Sequence, residues 1–166
     1  MQVYSEQDLK KFMQECVKLA IENPRDVNKP HVGAVVVNQN HIVGRGKKRY
    51  DSNLDLELHA ELVALLDAGI ERSRGALLVT TLEPCCPIGE YKPRVRSCCE
   101  QILEYRIHEV VYGLLDSSPT IRDAMGVHFL SRNGVKTTHL TNFDYPVRTL
   151  MYRRNDPVRP ICVDEF

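Results

Sequence analysis

The sequence carries no net charge: Lys and Arg together number 22, and so do Asp and Glu. A neutral chain has no general attraction to a polyanion, although a local basic patch stays open. Nucleic acid is therefore not the expected partner. No apolar run is long enough to cross a bilayer. The opening Met1-Gln2-Val3-Tyr4-Ser5-Glu6 lacks the charged-then-apolar layout of a secretory signal. These absences predict a cytoplasmic protein with no membrane partner. Internal repeats, low-complexity tracts and interdomain linkers are absent too. With 166 residues, 43% hydrophobic and 27% charged, the chain is expected to form one domain, 1–166, around a buried core. Its basic tail, with Arg148, Arg153, Arg154 and Arg159, reads as irregular from about residue 141.

Cysteine, by contrast, is abundant. Cys85-Cys86 and Cys98-Cys99 form two adjacent pairs, while Cys16 and Cys162 stand alone. In a reducing compartment, clustered Cys near a His favour metal binding over disulfides.

Helical and strand periods alternate along the chain. Ser5 is placed to cap a helix with Leu9, Phe12, Met13, Cys16, Val17 and Ala20 on its apolar face, ended by Asn23-Pro24. Val32–Val37 and His41–Gly46 read as two strands around a tight turn, Asn38-Gln39-Asn40. Lys47–Leu56 reads as a polar loop. Leu58–Ala68 is a predicted helix stopped by Gly69, with Leu62, Val63, Leu65 and Leu66 as its buried face. A strand over Ala76–Leu82 leads into a proline-rich loop, Glu83–Arg96. A helix from Ser97 or Cys98 to about Tyr105 and a strand over Glu109–Leu115 follow. Ile121–Asn133 reads as loop then helix, with Gly134 as its stop, and Val135–His139 as a last strand. The expected fold is a three-layer α/β/α arrangement: a central mixed five-stranded sheet, parallel in its second half, with helices on both faces.

The chemistry-bearing residues are His59-Ala60-Glu61, then Pro84-Cys85, then Cys98. One His and two Cys suit a Zn2+ ion whose fourth position stays open for reaction. If the helices starting near His59 and Cys98 lie side by side with their N-termini together, His59, Cys85 and Cys98 converge. Helix N-termini lower thiol pKa values, which favours thiolates at Cys85 and Cys98. Glu61, two residues beyond His59, points elsewhere around the helix axis. It is therefore expected to be a catalytic proton carrier rather than a fourth ligand. The Ala60 N–H, at the helix start, is a further candidate contact to substrate. Either Cys98 or Cys99 fits the third ligand; Ile102, four residues after Cys98, favours Cys98 by helix register.

These motifs resemble the cytidine deaminase-like superfamily. Gly33-Ala34-Val35-Val36-Val37, Ile42-Val43-Gly44-Arg45-Gly46, His59-Ala60-Glu61 and Thr81-Leu82-Glu83-Pro84-Cys85 follow its pattern in order. Within it the chain looks most similar to the deaminase of riboflavin biosynthesis, through Pro30-His31-Val32-Gly33 and the long gap from Cys85 to the next ligand. The resemblance implies zinc-dependent hydrolytic deamination of a small aminated pyrimidine, a diaminopyrimidinone carrying a phosphorylated ribosylamino group. It also implies a homo-oligomer, dimer or tetramer. The chain departs from that family where Lys29 precedes Pro30 and where the loop before Cys98 is longer and more basic. Its substrate contacts are expected from His31, Lys48, Arg94 and Arg96. Two other readings remain: a deaminase of guanine, cytosine or tRNA adenosine, and a noncatalytic zinc-binding module. The presence of Glu61 argues against the module, because a structural zinc has no use for a proton carrier.

Overall fold

A computed structural model describes residues 3–22, 31–53, 55–86, 96–116, 125–144 and 147–148. The expected tail beyond residue 148, Arg94, Cys162, the Asn23-Pro24 helix stop and the start of the 121–133 segment lie outside the described residues.

Helix α1 (Glu6–Ile21) begins where expected. Ser5 accepts from the Asp8 N–H, and Asp8 reaches back to the Ser5 N–H, so both ends of a capping box are made. Phe12, Met13, Cys16, Val17 and Ala20 are its buried face. Strands β1 (Gly33–Asn38) and β2 (His41–Lys47) pair antiparallel across the turn at Gln39 and Asn40. Both turn residues take positive φ, 51° and 63°, which suits a tight hairpin.

The segment read as a loop contains a small second sheet. Strands β3 (Arg49–Asp51) and β4 (Leu56–Leu58) pair antiparallel, with Tyr50 opposite Glu57. The Asp51 side chain accepts from the Asn53 N–H at 3.0 Å, and Tyr50 hydrogen-bonds Asp55. Polar side chains here build the turn rather than dissolve it. Leu58 therefore ends a strand instead of opening a helix.

Helix α2 (Ala60–Ala68) starts two residues later with His59 as its N-cap, and a single turn, α3 (Ile70–Ser73), follows Gly69. The predicted buried face of α2 needs correction. Leu62 and Leu65 are buried, but Leu66 is 50% exposed and Val63 is only half-buried. The helix meets the sheet through Ala60, Ala64 and Ala68, and Leu66 lies well around the axis from that row. Small residues face small residues: a Cβ on Gly46 would stand 2.0 Å from the Ala60 carbonyl oxygen, and one on Gly44 2.3 Å from that of Ala64. This close approach sets the height of α2, and hence of His59, over the sheet. Gly46→Ala is expected to lower stability by about 1–3 kcal/mol through overpacking, read as a lower urea midpoint with an unchanged slope.

Strand β5 (Leu77–Leu82) is buried throughout. Helix α4 (Cys98–Glu104), strand β6 (Glu109–Leu114), helix α5 (Met125–Arg132), strand β7 (Lys136–His139) and a 3₁₀ turn, Thr141–Phe143, complete the order. The sheet runs β2-β1-β5-β6-β7. The β1–β2 and β1–β5 pairs are antiparallel, and β5–β6 and β6–β7 are parallel. This is the predicted mixed five-stranded sheet. Gly33 abuts α1 at Cys16, whereas its sheet neighbours Gly44 and Gly46 abut α2, so the helices lie on opposite faces. Five described cysteines, Cys16, Cys85, Cys86, Cys98 and Cys99, are free thiols.

Candidate metal centre

The parallel half of the sheet delivers Cys85 just beyond the C-terminal end of β5, where open α/β sheets characteristically hold their ligands. His59 caps α2 and Cys98 opens α4. The two helices differ at their starts for a physical reason. Ser97 and Glu100 make a full capping box on α4. On α2 the N-cap side chain makes no capping bond, because the His59 ring is turned toward the cysteines. The first-turn N–H groups of α2, Ala60 included, thus receive no capping bond from His59.

His59 Nδ1 stands 3.6 Å from Cys85 Sγ and 3.3 Å from Cys98 Sγ. The ligand atoms of His59, Cys85 and Cys98 all lie within 4.8 Å of one another. No other group of three His, Cys, Asp or Glu side chains among the described residues is so arranged. From His59 to Cys98 the set passes from exposed through half-buried to buried, which leaves one side open. The donor set, one imidazole and two sulfurs, fits zinc. Cys99 points elsewhere: its thiol lies 3.5 Å from the Pro84 carbonyl and 3.6 Å from that of Gly126. Cys86 is buried and outside the cluster.

Proton sharing departs from the expectation that both thiols would be acidified. The Cys98 thiol donates to the Cys85 sulfur, and this bond first, with help from His59 and the Cys98 N–H at 3.3 Å, lowers Cys85 to about 4. The same bond, with burial, pushes Cys98 well up. The hydrogen bond between the two sulfurs thus moves them in opposite directions, Cys85 down and Cys98 up. The bond to Cys85 in turn raises His59. Glu61 is 4% exposed, and burial pushes its carboxyl up to about 7. A carboxyl poised there can both take and give a proton near neutrality.

The expected substrate contacts fare unevenly. Ala60 is buried at the first position of α2. Lys48 pairs with Glu57 across the β3–β4 sheet and is mostly buried, and its charge is felt at His59. Arg96 is turned to Glu104 at 2.8 Å and stays largely exposed. His31 is half-buried just before β1. His139 belongs to a different cluster, stacked on Tyr112 and 2.8 Å from Asp144. A cavity of about 540 Å3, lined by Tyr4, Ala76, His108, Glu109 and Gly134 among others, opens at the opposite ends of β5 and β6 and shares no residue with the centre. Sequence reasoning passed over Glu83. It lies between β5 and Pro84 and is 3% exposed; an acidic residue directly after a strand buried throughout was the available signal.

Comparison with known proteins agrees with this geometry. The family described as the cytidine and deoxycytidylate deaminase zinc-binding region matches residues 6–114. The riboflavin biosynthesis protein RibD of Buchnera aphidicola subsp. Baizongia pistaciae is 34% identical over 128 residues, covering 76% of this chain and 32% of that protein. A diaminohydroxyphosphoribosylamino-pyrimidine deaminase of Buchnera aphidicola subsp. Schizaphis graminum is 37% identical over 107 residues, covering 64% of this chain and 65% of its own length. This chain thus spans less than two thirds of either relative. Among solved structures, Acinetobacter baumannii RibD superposes with a TM-score of 0.70 at 26% identity, over 87% of this chain and 38% of that one. The family match covers both the strand–helix frame and the positions of His59, Glu61 and Cys85, and on it the chain belongs to the cytidine and deoxycytidylate deaminase zinc-binding family.

Proposed function

We propose that this chain is a zinc-dependent hydrolytic deaminase of a small, phosphorylated aminopyrimidine of the kind named in its riboflavin-pathway relatives. The observation that carries the reading is the convergence of His59, Cys85 and Cys98, with the buried Glu61 carboxyl within electrostatic reach of all three. His59 Nδ1 and the Cys85 and Cys98 sulfurs would hold the metal, and zinc held there would supply the Lewis acidity that activates water at neutral pH. Glu61 takes the proton that the attacking water loses and passes it to a ring nitrogen. It then takes the second proton, from the hydroxyl added to the ring carbon, and gives it to the departing amine; the C–N bond breaks, the carbon keeps the oxygen as a carbonyl, and ammonia leaves. The Ala60 N–H at the open start of α2 holds the ring carbonyl.

Lys48 is the cation we assign to the substrate phosphate, with Glu57 holding it in place. His31, Arg94 and Arg96 are the further substrate contacts this reading takes from the sequence. The same reading takes 1–166 as one deaminase domain; the single core shared by α1, the sheet and Val147 supports it. It takes the chain as a cytoplasmic homo-oligomer. Leu66 and Ile70, 50% and 47% exposed on the outer side of α2 and α3, are the apolar surface that favours association. No described helix is long and apolar enough to cross a membrane.

An ammonia-release assay on the zinc-loaded chain tests the reading. The diaminopyrimidine ribosylamine phosphate is set against cytidine, dCMP, guanine and adenosine-containing oligonucleotides. The first is expected to show the highest kcat/KM. Ammonia from none of them, with the metal bound, would leave a noncatalytic zinc module. Lys48→Ala should lower kcat/KM about tenfold or more for the phosphorylated substrate, the worth of one charge-assisted hydrogen bond. Its dephosphorylated form should be spared. Equal losses on both would instead mark Lys48 as a structural partner of Glu57.

A further inference from the structure

Behind Cys85 the fold buries a carboxylate that the cycle above does not use. Glu83 Oε1 accepts from the Val127 N–H at 2.9 Å, and Oε2 accepts from the Asp116 N–H at 3.1 Å. The Glu83 N–H donates to the Leu114 carbonyl at 2.8 Å. Asp116 follows β6, and Val127 lies in the first turn of α5. One residue therefore joins the end of β5, the end of β6 and the start of α5. An ionised carboxylate is costly to bury unless it is well partnered. Here two backbone donors and the positive end of α5 partner it.

The packing around this joint leaves little room to move. A Cβ on Gly126 would lie 2.0 Å from the Pro84 carbonyl oxygen and 3.2 Å from Glu83 Oε1. From the other side, the Cys99 N–H donates to the Cys85 carbonyl at 3.0 Å, and the Cys99 thiol reaches the Pro84 carbonyl at 3.5 Å. The backbone at 84–85 is thus held between α5 and α4. The place of the Cys85 sulfur follows from that backbone.

We propose that Glu83 is a positioning residue: by tying β6 and α5 to the strand end that precedes Pro84, it fixes the backbone from which Cys85 reaches toward His59 and Cys98. This rests on reading the three residues as a metal centre. Metal–ligand distances are tolerated only within about 0.2 Å, so a loosened Cys85 costs affinity before it costs the fold. Glu83→Gln keeps the shape but turns one acceptor into a donor facing a backbone N–H. Glu83→Asp keeps the charge but is one carbon too short to span both donors.

The full-length chain is loaded with Co2+, and two quantities are read: the thiolate-to-cobalt absorption and the affinity for Co2+ in competition with a chelator. Glu83→Gln is expected to bind Co2+ about 10–100-fold more weakly, the usual cost of losing an outer partner of a ligand, with a shifted absorption band. Glu83→Asp should show the same effects, smaller. Leu130→Val, which thins the buried core under α5, is the control; it should lower the unfolding midpoint yet leave band and affinity unchanged. Wild-type band and affinity in both Glu83 variants would overturn the proposal, as would an equal loss in Leu130→Val. If Glu83→Gln does not fold, the Glu83→Asp comparison decides alone. A wild-type chain that binds no Co2+ overturns the metal reading itself, and does so before any variant is compared.

Discussion

Glu61→Gln is expected to keep its metal and lose at least about 10²-fold in turnover, the lower end of what general acid–base catalysis contributes. The substitution preserves size and hydrogen-bonding shape, and Glu61 is 4% exposed in a tightly packed first turn. An amide there neither gains nor loses a proton, so the route from water to ring nitrogen to departing amine is closed at both ends. Zinc content should not follow, because His59, Cys85 and Cys98 form the cluster without it. The two readouts answer different questions. Lost turnover with full zinc assigns Glu61 to the proton path. Lost turnover together with lost zinc would make it a support for the metal. Near-wild-type turnover would remove it from the mechanism altogether. Measuring kcat as well as kcat/KM sharpens the result, since a group acting only in the transition state lowers both alike.

Much of the frame was legible because local signals agreed with the fold. Ser5 sits before an apolar stripe of helical spacing, and α1 starts there. The Val run 35–37 became the core of β1, and the Leu- and Thr-bearing run after Ala76 became the buried strand β5. Alternation of strands and helices was enough to anticipate a parallel second half, as β5–β6 and β6–β7 show. What escaped depended on register or on distant neighbours. Leu66 looks as apolar as Leu65, yet one step along a helix turns a side chain by about 100°, and only Leu65 is fully buried. The β3–β4 sheet was hidden because its turn is built from Asp51, Asn53 and Asp55, residues that elsewhere mark a solvated loop. The Lys48–Glu57 and Arg96–Glu104 pairs join residues nine and eight positions apart. Neither pairing has a sequence signature, so both cations read as available for a ligand. The trio His59, Cys85 and Cys98 was legible as types and order, but its convergence depends on how α2 seats on the sheet, where Gly46 meets Ala60. The tie from Glu83 to Asp116 and Val127 spans 33 and 44 residues; nothing local announces it.

Exchanging the two neighbouring cysteines of α4 for alanine, one at a time, should produce opposite outcomes. Cys98→Ala is expected to leave the chain folded and nearly free of zinc. It removes a sulfur 3.3 Å from His59 Nδ1, and no described His, Cys, Asp or Glu completes another such trio in its place. The loss in affinity should exceed the roughly 10–100-fold cost of removing an outer partner, because a donor atom itself is gone. Cys99→Ala should keep one zinc per chain. Its thiol is fully buried against Pro84 and Gly126, so its removal leaves a small void and costs about 1 kcal/mol of stability. Elemental analysis after gel filtration reads the first quantity, and thermal unfolding of the metal-free chains reads the second. Acid should weaken zinc binding in the wild type. Burial and the hydrogen bond to Cys85 hold the Cys98 thiol above its ordinary range, which favours a proton on it. Zinc must displace that proton, and its apparent affinity falls as pH is lowered. Full zinc in Cys98→Ala, with loss in Cys99→Ala, would transfer the third donor to Cys99. It would require α4 to turn by one residue about its axis, breaking the capping box of Ser97 and Glu100 that now fixes its register.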